Sequence, residues 1–259
     1  MYYPVQLPFV FNKKFKESIL YTENNQGILE FYCNFVVCEW EMHSVKFFNE
    51  AIDNIIIPDG CIDLIVDYNN KEIGFAGMSK TDFNYKIFNP CCYFGIRLKP
   101  GAFYQLTNIS AGDVMDNFIS LDVIDGTIDF DYLFSLSFEE CKEFVRIFLK
   151  KFIKTKKPLD FVLLFDNIIN DDYLVSTGEL YKKFNFSSRQ SQRLFLKYYG
   201  ISPKGILNII RFQKSLKILL SRNDQGYDDI IGYYDQSHYI KDIKKNIGIT
   251  PLELIKRYQ

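Results

Sequence analysis

The last 90 residues of this 259-residue chain carry one pattern twice, offset by 48 positions. Ser187 meets Asp235, Arg193 meets Lys241, Gly200 meets Gly248, Ile201 meets Ile249 and Pro203 meets Pro251, with Ser202 and Thr250 in the same register. Each copy reads as a capping residue, a helical stretch, then Gly-Ile-Ser/Thr-Pro. Ser and Asp accept from the free N–H groups of a helix start, Gly tolerates the left-handed residue that ends a helix, and Pro opens the next. Before each capping residue lies a shorter helical pattern, Thr177 to Phe184 and Tyr227 to Ile231. Helix, tight turn and capped second helix make a helix-turn-helix. Two such units are predicted, at about 177–199 and 227–247.

Between the copies, Lys204 to Arg222 keeps a helical pattern free of internal Pro, with Ile206, Ile209, Ile210, Leu216, Leu219 and Leu220 as its apolar stripe. A helix of that length spans about 28 Å. It can therefore hold two recognition helices about one DNA turn apart, the spacing at which they enter successive major grooves. In the first copy the polar face is Ser188, Arg189, Gln192 and Arg193, continuing to Lys197, with Leu194 and Phe195 turned to the core. Arg pairs with guanine and Gln with adenine through two bonds each, so this face suits base edges, while terminal lysines suit phosphate. In the second copy Gln236, Ser237 and Lys241 are the candidate base readers and Lys244 and Lys245 the phosphate contacts. His238 fits either a DNA contact or a hydrogen bond inside the turn. A solvated amphipathic face is the rival reading for any one such helix, and the repeat argues against it.

The segments GYYDQSHYIKDIKKNIGITP (232–251) and SSRQSQRLFLKYYGISPK (187–204) resemble the two units of the AraC/XylS family of transcriptional regulators. The resemblance covers about 171–259 and implies a DNA-binding domain of about seven helices, with recognition helices at 187–198 and 235–246. It carries the family's base contacts to Arg189, Gln192 and Arg193, then to Gln236, Ser237 and Lys241. Three positions depart from the family pattern: Asp228 stands for a small alanine, Ser191 for a leucine and Ile243 for a phenylalanine. Ile57 to Leu64 and Phe94 to Gly101 resemble a β-rich regulatory domain that accompanies this DNA-binding domain, and that resemblance brings no ligand with it.

A net charge of -1 conceals a split. Residues 171–259 hold 15 Lys and Arg against 9 Asp and Glu, whereas the preceding 170 are acidic by seven charges. Such asymmetry marks parts with different partners, the basic one a polyanion, here double-stranded DNA. All six cysteines (Cys33, Cys38, Cys61, Cys91, Cys92, Cys141) fall in the acidic part. Hydrophobic residues at 47% and charged residues at 24% are those of an average globular protein and exclude disordered, collagen-like and disulfide-scaffold classes. No apolar run approaches the roughly 18 residues of a membrane span, and the N-terminus lacks a signal peptide pattern. The expectation is a cytoplasmic, nucleoid-associated protein with no membrane partner.

From 1 to about 135, β-branched and aromatic runs punctuated by Pro-Asp-Gly, Asn-Asn and Pro-Gly predict a β-rich barrel or sandwich, cupin-like in outline. At Phe138 the period changes: Phe138, Cys141, Phe144, Val145, Phe148, Leu149 and Phe152 form one face of an amphipathic helix. It ends in Lys154, Lys156 and Lys157 before Pro158 and is a candidate dimer face, or else packs on its own barrel. The fold class expected is α+β. The domain reading is 1–157, a regulatory, effector or dimerisation domain, and 158–259, an all-α DNA-binding domain.

Catalysis is the rival class for the acidic part, and no enzyme activity is expected. A nucleophilic cysteine wants a histidine, and His43 is the one candidate there. Cys33 and Cys38, four residues apart, and adjacent Cys91 and Cys92 make poor metal pairs, so the thiols read as core residues, with Cys91 and Cys92 the first suspects if redox or metal is sensed. Asp59 in Pro-Asp-Gly reads as a turn residue, and Asp63 with Arg97 as a structural ion pair. The 44 aromatic residues are mostly core, though an apolar pocket for a small effector can be built from them. No cofactor or metal is expected. RNA polymerase would be a partner of an activator, and a second copy of the chain is a candidate partner for the regulatory part.

Overall fold

The computed structural model describes residues 2–6, 17–24, 32, 34–154, 159–171, 174–221 and 232–258. Among them lie eight strands: β1 (Ile19–Asn24), β2 (Val36–Ser44), β3 (Ile52–Ile56), β4 (Ile62–Asp67), β5 (Glu72–Ala76), β6 (Phe83–Ile87), β7 (Cys92–Leu98) and β8 (Phe118–Ser120). Six of them make an antiparallel sheet in the order β1-β2-β7-β4-β5-β8, and β3 pairs with β6 separately. Two sheets, rather than one closed barrel, make the sandwich form of the expected α+β fold.

Side chains alternate across a strand, so each strand of the large sheet serves two environments. On β4 and β7, Leu64, Val66, Phe94, Ile96 and Leu98 join one core. Asp63, Ile65, Asp67, Tyr93 and Arg97 point the other way and line a cavity. Gly95 sits among the second set, opposite Trp40 in the β2–β7 register. A Cβ there would come within 2.1 Å of the indole ring, so the missing side chain is the space that Trp40 occupies.

The first core is covered by α1 (Ala102–Thr107), α2 (Phe130–Leu133) and α3 (Phe138–Lys154). Cys141, Val145, Phe148, Leu149 and Ile153 of α3 are buried against the sheet, each large one worth roughly 1.5–3 kcal/mol of transfer free energy. Lys142 and Arg146 reinforce the docking through Glu41 at 2.7 Å and Glu39 at 2.9 Å on β2. The helix expected from Phe138 is present, but its apolar stripe is spent on the chain's own sheet. Of the two roles left open for that face, packing on the chain's own sheet is the one observed.

The C-terminal helices among the described residues are α4 (Asp160–Asn170), α5 (Thr177–Phe184), α6 (Ser188–Tyr199), α7 (Pro203–Ser221), α8 (Gln236–Ile247) and α9 (Pro251–Tyr258). The short helix predicted at Tyr227 to Ile231, the turn signal at Asn223 to Gly226, Asp228 and the Lys-rich stretch before Pro158 lie outside the described residues, as does Cys33. The two parts of the chain share buried side chains. Val37, Cys38 and Cys61 pack with Phe165, Leu180, Phe195 and Ile206. Ile57 packs with Phe212, Leu216, Tyr239 and Ile243. Among the described residues no helix is long and apolar enough to cross a membrane.

Candidate nucleic-acid interface and ligand cavity

The punctuation of the repeat is reproduced atom by atom. Ser187 Oγ accepts from the Gln190 N–H at 3.2 Å, and Asp235 Oδ1 accepts from the His238 N–H at 2.7 Å. Gly200 (φ 71°) and Gly248 (φ 81°) end their helices in the left-handed conformation. Ser202 and Thr250 cap α7 and α9, whose first residues are Pro203 and Pro251. Burial repeats with the same offset: Ser191, Phe195 and Tyr199 on α6 match Tyr239, Ile243 and Ile247 on α8. α5 and α6 are joined through Asn185, which is also left-handed, and α5 begins with a reciprocal cap between Ser176 and Glu179.

With those faces buried, the opposite ones are exposed: Ser188, Arg189, Gln192, Arg193 and Lys197 on α6, and Gln236, Ser237, His238, Lys241, Lys244 and Lys245 on α8. Arg189, Arg193, Lys241, Lys244 and Lys245 have no ion-pair partner among the described residues. By contrast, Arg97, Lys142, Arg146 and Arg211 are each engaged by carboxylates. Cations left unpaired on two exposed helix faces are what a polyanion needs. Lys197 differs, its ammonium lying 4.5 Å from the centroid of the Tyr104 ring on α1. The His238 ring lies edge-on to Tyr233 at 5.2 Å. At the position equivalent to Gln192 the second copy has Ile240, packed beside a core, so the two outer faces are not identical.

Arg211 of α7 and a turn of the β-rich part, both outside the repeated segments, brace these helices. Asp242 on α8 accepts from Arg211 of α7 at 3.3 Å and from the Tyr233 hydroxyl at 2.7 Å. The 3₁₀ turn Ala111–Asp113 of the β-rich part meets the end of α6, where a Cβ on Gly200 would lie 2.8 Å from the Ala111 carbonyl. Neither contact has a signal in sequence spacing.

Between the large sheet and β3–β6 lies a cavity of about 560 Å³. The Arg97 guanidinium lies in its wall, bonded to Asp63 by Nε at 3.1 Å and Nη2 at 3.0 Å and approached by Glu23 at 3.5 Å and Asp59 at 3.7 Å. Trp40 Nε1 donates to the same Asp63 at 2.8 Å. Asp59 is a turn residue, as expected, its Oδ1 accepting from Cys61 N–H at 2.8 Å, and its Oδ2 accepts from Gln6 at 2.6 Å. Burial raises its carboxyl, against the opposing pull of Arg97, to about 6. The expected Asp63–Arg97 ion pair is thus present, but as the wall of a cavity. Alternation along Ile62 to Asp67 and Cys92 to Leu98 was the signal that could have placed these groups on one face.

A substrate-sized cavity with convergent polar groups is the geometry that an enzyme domain would also need. The thiols do not complete it. Cys92 Sγ lies 3.5 Å from His43 Nδ1, and His43 Nε2 lies 3.1 Å from Glu41, but on the sheet face turned to α3. Burial pushes the Cys92 thiol up to about 11, away from the thiolate that a nucleophile requires. Cys38, Cys61, Cys91 and Cys141 are buried free thiols. Among the described residues no group of three or more metal-binding side chains is assembled.

Comparison with known proteins defines the class. Residues 180–257 match the family model described as a helix-turn-helix domain, and residues 33–120 match a domain of unknown function, DUF6597. The C-terminal part is accordingly a DNA-binding domain of the AraC type, preceded by that second domain. No curated protein matches the chain. Among solved structures the chain is similar to ToxT from Vibrio cholerae. The crystal form of ToxT at 1.65 Å is 14% identical, with a TM-score of 0.40, over 93% of this chain and 98% of that one. ToxT bound to (E)-4-(8-methylnaphthalen-1-yl)but-3-enoic acid is 12% identical, with a TM-score of 0.43, over 93% and 100%.

Proposed function

We propose that the protein is a sequence-specific transcription regulator that lays α6 and α8 in successive major grooves and is controlled by a small molecule in the sandwich cavity. The observation that carries the DNA reading is the pair of capped, equivalently buried helices on whose outer faces Arg189, Arg193, Lys241, Lys244 and Lys245 have no ion-pair partner among the described residues. Arg189, Gln192 and Arg193, then Gln236, Ser237 and Lys241, would read base edges, with Lys244 and Lys245 on phosphates and His238 at the helix start. Lys197 would reach a phosphate only by leaving Tyr104, which ties that contact to the position of the β-rich part. Residues 1–157 act in this reading as the regulatory domain and 158–259 as the DNA-binding domain.

A sensory role for the cavity is favoured over a catalytic one by how its polar atoms are used. Both Asp59 oxygens and both ends of the Arg97–Asp63 pair are engaged within the protein, which suits recognition better than proton exchange with a substrate. A ligand there shifts the balance between arrangements of differing DNA affinity. Selection of binding sites from random DNA by the purified full-length protein tests the reading. A recovered motif with two half-sites about 10 base pairs apart is expected. Recovery of no motif, or of the same motif by a protein carrying both Arg193→Ala and Lys241→Ala, would overturn it. The number of half-sites recovered bears on self-association, and the motif's position relative to a promoter bears on RNA polymerase as the partner of an activator.

A further inference from the structure

The cavity's lining identifies the class of molecule that fits it. Six carboxylates line it (Asp59, Asp63, Asp67, Glu72, Asp82 and Asp116) against a single cation, Arg97. That cation is consumed by Asp63, Asp59 and Glu23, so among the described lining residues no positive charge is left for an anion. Asp116 is paired with Lys80 at 3.3 Å, which leaves Asp67, Glu72 and Asp82 as the carboxylates without an ion pair among the described residues. Two aromatic pairs share the lining. Tyr21 stacks on Trp40 at 6.1 Å, and Tyr85 meets Tyr93 edge-on at 6.3 Å. Ring faces in a low-dielectric space attract cations. Met42, Ile55, Ile65 and Met78 supply an apolar remainder.

Asn54, on the opposite sheet, adds an independent observation. Its Oδ1 is buried and has no hydrogen-bond partner among the described residues, although the residue lines the cavity. A buried acceptor left unmade costs about 1–3 kcal/mol, and a donor arriving with a ligand would relieve it.

We propose that the cavity binds a protonated amine carried on an apolar body, its N–H bonded to Asn54 Oδ1 and its charge held among the aromatic rings and the carboxylate excess. This deepens the regulatory reading given above and rests on it for its consequence. The wall that meets the ligand also meets the DNA-binding part, since Ile57 lines the cavity and packs with Phe212 and Leu216 of α7 and Tyr239 of α8.

The single tryptophan of the chain, Trp40, lies in the lining and reports occupancy directly. Phenylbutylamine, phenylbutanol and phenylbutyrate share one body and differ in charge, and each is titrated into the full-length protein with Trp40 fluorescence and melting temperature as readouts. The amine is expected to bind about tenfold or more tighter than the alcohol, and the carboxylate weakest. Asn54→Leu is expected to remove most of the amine's advantage over the alcohol. Tightest binding by the carboxylate, equal binding of all three, or no response to any of them would overturn the proposal. DNA affinity is measured on the same samples. Amine binding that leaves it unchanged would remove the regulatory reading while leaving the ligand class standing.

Discussion

The side-chain amide of Gln213, midway along α7, donates to the carbonyl oxygen of Pro58 at 2.7 Å, joining residues 155 positions apart in a buried contact. Its own oxygen accepts from the Val5 N–H at 2.8 Å. One glutamine thus ties the helix between the two DNA-binding units to the turn that carries Asp59 and to the N-terminal strap. Tyr2 closes the same knot by donating to the Asp59 carbonyl at 2.8 Å. The cavity wall and α7 are therefore linked by hydrogen bonds rather than by a loose hinge.

Gln213→Leu keeps the volume but leaves the buried Pro58 carbonyl and the partly buried Val5 N–H unpaired, so a loss of about 1–3 kcal/mol is expected by urea denaturation. A variant as stable as wild type would show that water replaces the amide.

Arg193→Ala is expected to cost roughly 1–3 kcal/mol on the selected DNA site and to relax one base position, while Lys244→Ala weakens binding evenly and flattens its salt dependence. Anisotropy titrations at two salt concentrations on matched and mutated sites distinguish the two. Identical profiles for both variants would contradict their assigned roles.

Ser191 is fully buried in α6, and its Oγ has no partner among the described residues. Ser191→Ala should therefore be neutral or stabilise by up to about 1 kcal/mol, from relief of the unpaired hydroxyl and better helix propensity. A clear loss of stability would reveal a partner for that hydroxyl.

Gly95→Ala places a methyl where the Trp40 ring now lies. Overpacking of this kind costs typically about 1–3 kcal/mol. The Trp40 emission maximum should shift with it, since the indole must move off Asp63. An unchanged spectrum would mean that the strand yields instead of the ring.

Asp59 predicts a pH dependence of stability. Its folded carboxyl titrates near 6, above the unfolded value of about 4, so the folded form holds the proton more tightly. Stability from this group is complete below the unfolded value and is lost as pH rises through the folded one. Relative to Asp59→Asn, which stays neutral, wild type should weaken between those limits by at most about 1.4 kcal/mol per pH unit. Denaturation of both proteins at pH values on either side of the window measures the difference. A constant difference would mean that Arg97 keeps the carboxyl ionised throughout.

Local chemistry alone made the C-terminal part legible. Caps, helix stops and proline starts act within four residues of themselves, so Ser187, Asp235, Gly200 and Gly248 declared the helices, and the offset of 48 declared the pair. The same periodicity separated the buried Phe195 and Ile243 from the exposed Arg193 and Lys241. In the β-rich part, composition and turns declared strands, and the period change at Phe138 declared α3. What lay beyond them was which sheet face would be filled by a helix and which would enclose space. That depended on pairing β4 with β7 and β2 with β7, which turned Asp63, Arg97 and Trp40 into one wall. Side chains at those positions have no sequence signal for being neighbours, because their contacts are set by strand register over long separations. Short-range rules alone thus placed two capped helices, α6 and α8, at a fixed offset and told which of their residues are exposed. The cavity, the burial of α3 on its own sheet and the Gln213 link emerge from the fold alone, because each requires distant segments to meet.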